Sequence, residues 1–146
     1  EEYAREYPSA AVRGIKSPEE ILPGIWTTGS IATTYKGTPL YEQALVIVRG
    51  EKVWLLTGCS HPGISLIVTK VTEIFPGKGI ALVTGGFHLG SQTEGEVRDI
   101  SETLRRLEVE KIAPSHCTGE DAIALLREEW GDDFTEFNLG DLLVLP

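Results

Sequence analysis

An α/β layered domain is what this chain of 146 residues predicts, on three grounds. Runs with strand composition alternate with runs whose apolar residues recur at helical spacing, the signature of stacked β and α layers. The strand-like runs at 43–48, 53–57 and 80–84 are almost continuously apolar, as strands covered on both faces are. All three histidines follow the ends of such runs, in short segments flanked by glycine or cysteine. In open α/β sheets, ligands bind outside the carboxyl ends of the strands.

Taken in order, residues 1–23 read as a polar lead-in arm holding Pro8 and Pro18. Ser17-Pro18-Glu19-Glu20 suggests a helical turn, with serine as cap and proline at the first helical position. Pro23-Gly24 is a turn, and Ile25-Trp26-Thr27-Thr28 a short strand. A loop is expected over residues 30–40. The runs 43–48 and 53–57 flank Arg49-Gly50-Glu51-Lys52 and make a β-hairpin. Ile64, Ile67, Val68, Val71 and Ile74 then fall at helical spacing, and Pro76-Gly77 stops the helix. A buried strand at 80–84 precedes an amphipathic helix at 94–107, with Val97, Ile100, Leu104 and Leu107 on one face. A strand at 111–113, a helix at 119–130 and two short strands at 134–137 and 142–145 complete the order.

The whole chain is read as one domain, long enough to bury a core. A net charge of −9 with no basic stripe disfavours a nucleic-acid partner. No apolar run approaches the roughly 20 residues that span a bilayer, so no membrane role is expected. Both cysteines adjoin histidines, as Cys59-Ser60-His61 and His116-Cys117, which reads as thiols beside a metal site in a reducing cytoplasm rather than a disulfide. The chain has no methionine and opens on Glu-Glu-Tyr, so a piece of a longer polypeptide is expected.

Three motifs carry the chemistry. In Thr57-Gly58-Cys59-Ser60-His61-Pro62-Gly63, His61 sits at a strand-to-helix junction with little freedom, as a metal ligand needs. Cys59 is either a further ligand or a small buried residue. In Pro114-Ser115-His116-Cys117-Thr118-Gly119, His116 is the second expected ligand, and Ser115 or Thr118 is expected to cap the following helix. In Gly85-Gly86-Phe87-His88-Leu89-Gly90, His88 is a ligand, an acid/base or a loop histidine, and the double glycine implies close backbone packing. No Gly-x-Ser-x-Gly elbow or phosphate loop is present. A cysteine nucleophile paired with histidine is a competing enzyme reading. So is a closed structural site of Cys59, His61, His116 and Cys117, although adjacent residues such as His116 and Cys117 rarely reach one ion.

These three motifs, with Pro23-Gly24-Ile25-Trp26-Thr27-Thr28-Gly29 and Tyr41-Glu42-Gln43-Ala44-Leu45, resemble the C-terminal half of a metallo-β-lactamase-fold protein. The subfamily most similar is the dihydropteroate-synthase-like, or dihydropterin ribofuranosylaminobenzene phosphate synthase-like, one. The resemblance covers residues 24–146. It implies half of an α/β/β/α sandwich, a mixed sheet with helices on one face. It further implies a site for two divalent ions, zinc first and manganese or iron as alternatives, with His61 on one ion and His116 on the other. His88 lies where many relatives carry a bridging aspartate and is assigned a catalytic role. Cys59, Ser60, Cys117 and Gly86 would line the site or touch a small-molecule substrate.

The His-x-His-x-Asp-His signature of that family is nowhere in the chain. The expected partner is therefore an N-terminal half, in the same polypeptide or a companion chain, or a homo-oligomer. Two functions follow. One is a metal-dependent hydrolase-like protein for which this chain supplies the C-terminal ligands, inactive alone. The other is a non-catalytic half-domain serving in structure or assembly.

Overall fold

A computed structural model describes residues 12–144; most of the expected lead-in arm, and Leu145 of the last expected strand, lie outside them. Eight strands and three α-helices are present among the described residues. The strands are β1 (Glu19–Leu22), β2 (Ile25–Thr27), β3 (Ile31–Tyr35), β4 (Thr38–Glu42), β5 (Leu45–Arg49), β6 (Lys52–Leu56), β7 (Gly79–Gly86) and β8 (Ile112–Ser115). The helices are α1 (Ile64–Ile74), α2 (Glu94–Arg106) and α3 (Glu120–Trp130).

Six strands form one mixed sheet in the order β1-β2-β5-β6-β7-β8. The pairs from β1 to β6 are antiparallel, and β6, β7 and β8 are parallel neighbours. Parallel neighbours need a crossover, and α1 and α2 provide the two. Alternation along the strands sends side chains to opposite faces. Val53, Leu55, Val83 and Ile112 join Ile67, Val71, Leu104 and Leu126 of the helices in the main core. Trp54, Leu82 and Ala113 form a small cluster on the other face, packed by Ile47, Ala81, Phe137 and Leu143. No helix residue enters that second cluster, so the helices occupy one face, as expected.

The sequence explains the helix positions. Thr93 accepts from the Glu96 N–H, and the Glu96 carboxylate accepts from the Thr93 N–H at 2.8 Å; this capping box starts α2. Trp130 Nε1 donates to Ser101 Oγ at 2.9 Å, and Arg98 pairs with Glu129 at 2.6 Å, which ties α3 to α2.

Four expectations are corrected. Residues 19–22 form a strand rather than a helical turn, because Glu19 to Leu22 pairs with Thr27 to Ile25; Pro18 precedes the strand, where no ladder donor is needed. The expected loop at 30–40 holds the β3–β4 hairpin, a separate two-stranded sheet turned by Lys36-Gly37, both at positive φ (49° and 78°). The expected terminal strands at 134–137 and 142–144 form no ladder; one bridge joins Phe134 to Ile112, with Thr135 N–H donating to Ile112 O at 2.8 Å. Neither hydroxyl caps α3. Gly119 occupies that position, and Thr118 Oγ instead accepts from the Phe87 N–H at 3.0 Å and donates to Ser115 O at 2.7 Å.

Candidate metal centre at the carboxyl rim of the sheet

The parallel arrangement of β6, β7 and β8 puts their carboxyl ends side by side. The histidine-bearing segments leave from that rim, and hydrogen bonds join them to one another. Thr57 N–H donates to Thr84 O at 2.9 Å and Gly86 N–H to Gly58 O at 2.8 Å. Gly85 has φ 117°, and a Cβ there would lie 2.2 Å from Thr57 O, so only glycine fits.

His61 and His88 come together on this rim. Their ring centroids are 4.4 Å apart, and Tyr35, the last residue of β3, lies 4.3 Å from His61 and 5.7 Å from His88. The Glu42 carboxylate holds His61 twice: Oε1 contacts ring Nδ1, and Oε2 accepts from the backbone N–H at 3.1 Å. Both side chains are largely buried, at 14% and 18% exposed. A carboxylate on one imidazole nitrogen fixes the tautomer and leaves Nε2 as the lone-pair nitrogen, the usual support of a metal-ligating histidine. Glu42 and Tyr35 were not among the expected site residues. The Lys36-Gly37 turn signal could have revealed the hairpin that delivers them.

Cys59, His116 and Cys117 form a second group. One donor atom from each lies within 4.8 Å of the others. Cys117 Sγ also lies 3.4 Å from Cys59 O, as a donor would. Adjacent residues rarely both reach one ion, but here His116 takes φ 53° and opens a 3₁₀ turn, His116–Thr118, that curls the two residues together. Gly86 separates this group from the strand behind it. A Cβ there would sit 2.7 Å from Cys117 Sγ and 3.3 Å from His116 Cδ2. Burial pushes the Cys59 thiol above its ordinary pKa, and Cys117 and Glu42 add to the rise, the former through a hydrogen bond that the protonated Cys59 thiol donates to it and both through unfavourable charge.

Backbone strain is concentrated here. Ser60, His88 and His116 are three of the five non-glycine residues at positive φ among those described. Such conformations persist only where the surroundings over-determine them, and they cluster at functional sites. Two buried atoms of this rim, His88 Nδ1 and Ser60 Oγ, have no hydrogen-bond partner. An unsatisfied buried imidazole nitrogen beside a second imidazole, near thiols, suits a divalent ion, so the residues present fit such a group. Beside His116 opens a cavity of about 840 Å³, bordered by Pro114, Arg127, Phe134 and Phe137.

No protein-family model matches the chain. It is 30% identical, over 88% of its length, to 7,8-dihydropterin-6-methyl-4-(β-D-ribofuranosyl)-aminobenzene-5′-phosphate synthase of Methanocaldococcus jannaschii, of which it covers 51%. It superposes on a crystal structure described as a metal-dependent hydrolase of the β-lactamase superfamily with a TM-score of 0.74 at 28% identity, covering 92% of this chain and 57% of that one. A structure of TMB-1 matches in fold alone, at 14% identity and a TM-score of 0.51, covering 92% of this chain and 56% of that one. The chain thus spans about half the length of the relatives it matches. Both of the first two agree with the resemblance read from the motifs.

Proposed function

Starting from a metallo-β-lactamase-superfamily fold, we propose that this chain supplies the histidine ligands of one half of a two-metal site in a metal-dependent hydrolase-like protein. His61 and His116 would each hold a divalent ion, zinc first, with manganese or iron as alternatives. His88 would face the substrate as a proton-transferring or orienting group. The observation that carries this reading is the Glu42–His61 pair, a buried carboxylate that commits one imidazole nitrogen and frees the other.

Each residue has a definable task. Glu42 fixes the His61 tautomer. His88, with Nδ1 unpartnered, is placed to take or give a proton beside His61. Tyr35 packs against both rings from one side. Bound divalent ions supply acidification of water and polarisation of the bond to be broken. The remaining ligands would come from an N-terminal half in the same polypeptide or in a companion chain, or from a second copy. The substrate would be a small molecule. The named synthase relative makes a pterin-related compound the first class to try.

A second reading is a non-catalytic half-domain for assembly. Leu139, Leu142 and Val144 are exposed, and their chain neighbours Phe137 and Leu143 pack on the apolar cluster of Trp54 and Leu82, as at the margin of a surface awaiting a partner. Metal analysis separates the two. The catalytic reading expects about two ions per site in protein that includes the upstream half, chelator-sensitive turnover, and loss of metal with His61→Ala and with His116→Ala. Full metal content in both variants would refute the ligand assignment. A metal-free, inactive assembly containing the upstream half would favour the second reading.

A further inference from the structure

We propose that Cys59, His116 and Cys117 form a thiolate-rich binding site for one soft metal ion, complete within this chain. The claim goes beyond the two-metal reading because it uses sulfur donors and needs neither His61 nor a residue outside the chain; it shares His116 with that reading.

The geometry is that of a site short of a metal by a small contraction. The three donor atoms lie within 4.8 Å of one another. Around a tetrahedral zinc ion, with bonds of about 2.3 Å to sulfur and about 2.0 Å to nitrogen, donor atoms stand roughly 3.5–3.8 Å apart. The donors come from two segments, 57–63 and 116–119, held in register by the parallel sheet. Gly86, on the strand between, provides the room. Its missing side chain would strike Cys117 Sγ at 2.7 Å and crowd His116 Cδ2 at 3.3 Å. The left-handed backbone of His116, at φ 53°, brings the imidazole and the next residue's thiol to the same place. His116 is exposed and the two cysteines are half-buried, so a fourth position stays open to solvent, as in sites of two cysteines and one histidine that keep an exchangeable ligand.

The donor set also selects the ion. Two thiolates and one imidazole favour zinc, cobalt as its spectroscopic substitute, cadmium and cuprous copper over magnesium or calcium, which take oxygen. Binding releases the thiol protons to solvent, because the thiolate is the ligand.

The test titrates the reduced full chain with cobalt(II). One equivalent should bind with the near-ultraviolet sulfur-to-cobalt charge-transfer absorption that only thiolate ligation produces. Cys59→Ser and Cys117→Ser should each remove at least about half of that absorption and weaken binding at least about tenfold. A second measurement needs no variant: one equivalent of zinc should slow alkylation of both cysteines in the wild-type chain at least about tenfold. Cobalt bound without the absorption, and released by His61→Ala or His116→Ala but by neither cysteine substitution, would overturn this site and leave the two-metal reading standing. Failure of zinc to protect either thiol would overturn it as well.

Discussion

Replacing Glu42 tests the support of His61 without touching a proposed ligand. The carboxylate makes two contacts to one residue, to the ring through Nδ1 and to the backbone N–H at 3.1 Å. At 14% and 18% exposed, the pair is poorly screened by solvent. A hydrogen bond to a charged group contributes about 1.5–3 kcal/mol, and one between neutral groups about 0.5–1.5 kcal/mol. Glu42→Gln keeps the shape and an acceptor but loses the charge, which removes about 1–1.5 kcal/mol, or roughly five- to tenfold in the preference for the Nδ1–H tautomer. Glu42→Ala removes the acceptor entirely, so the bias of about 10- to 150-fold should vanish and the backbone N–H should turn to water.

Imidazole nitrogen NMR reads this directly, because protonated and unprotonated ring nitrogens have widely separated shifts. His61 should show one dominant tautomer in the wild type, a measurable mixture in Glu42→Gln and no trace of the carboxylate-imposed preference in Glu42→Ala. Thermal unfolding gives an independent check. The loss of about 1.5–3 kcal/mol in Glu42→Ala should lower Tm by about 5–9 °C, taking about 3 °C per kcal/mol for a chain of this size. Identical His61 nitrogen shifts in all three proteins would refute the reasoning, whatever happened to Tm.

Two further outcomes are expected. Thr93→Ala removes the cap of α2 and should cost about 1 kcal/mol by urea denaturation; because the Thr93 N–H and hydroxyl hold the Glu96 carboxyl below its usual pKa, the carboxylate's part of the capping box is present above the unfolded-state value of about 4.3 and fades as the pH falls through the folded-state value, so wild type and Glu96→Gln should converge in strong acid. Cys59 runs the other way: burial raises its pKa, so its contribution is intact below the ordinary thiol value, and stability should decline as the pH rises through the raised one, with alkylation of Cys59 in metal-free protein reaching half-maximal rate above the midpoint of a free thiol; a midpoint at or below that of a free thiol would contradict the burial.

The helices and parallel strands were legible because their signals are long and periodic. Ile64, Ile67, Val68 and Val71 alone place α1, and the unbroken apolar runs place β6 and β7 inside the sheet, away from its edges. The β3–β4 hairpin was not, for a physical reason. Ile31-Ala32-Thr33-Thr34-Tyr35 carries few large apolar residues, and Pro39 reads as a breaker. Pro39 sits opposite Thr34 in a two-stranded sheet, where every strand is an edge and a missing donor is tolerated. Losing the hairpin meant losing Tyr35 and the role of Glu42, which no local pattern near His61 announces. The same limit explains the chain end, where Phe134, Phe137 and Leu143 look like strand residues. They pack as single apolar contacts on the core and on the second sheet face.

The histidines themselves were legible for a deeper reason than residue type. Three neighbouring parallel strands end at one rim by construction, so whatever follows them converges without long loops. Convergence alone leaves the side chains free to point anywhere. Here Ser60, His88 and His116 have left the common backbone regions, each at a cost of about 1–3 kcal/mol that the fold could avoid with glycine. Glycine does occupy the adjoining strained positions Gly63, Gly85 and Gly119. Retaining side chains at three left-handed positions while relieving others nearby spends stability to set direction. At positions 88 and 116 the direction set is that of an imidazole, one with an unsatisfied nitrogen and one beside two thiols. A fold that needed these residues only for packing would have no reason to hold them so.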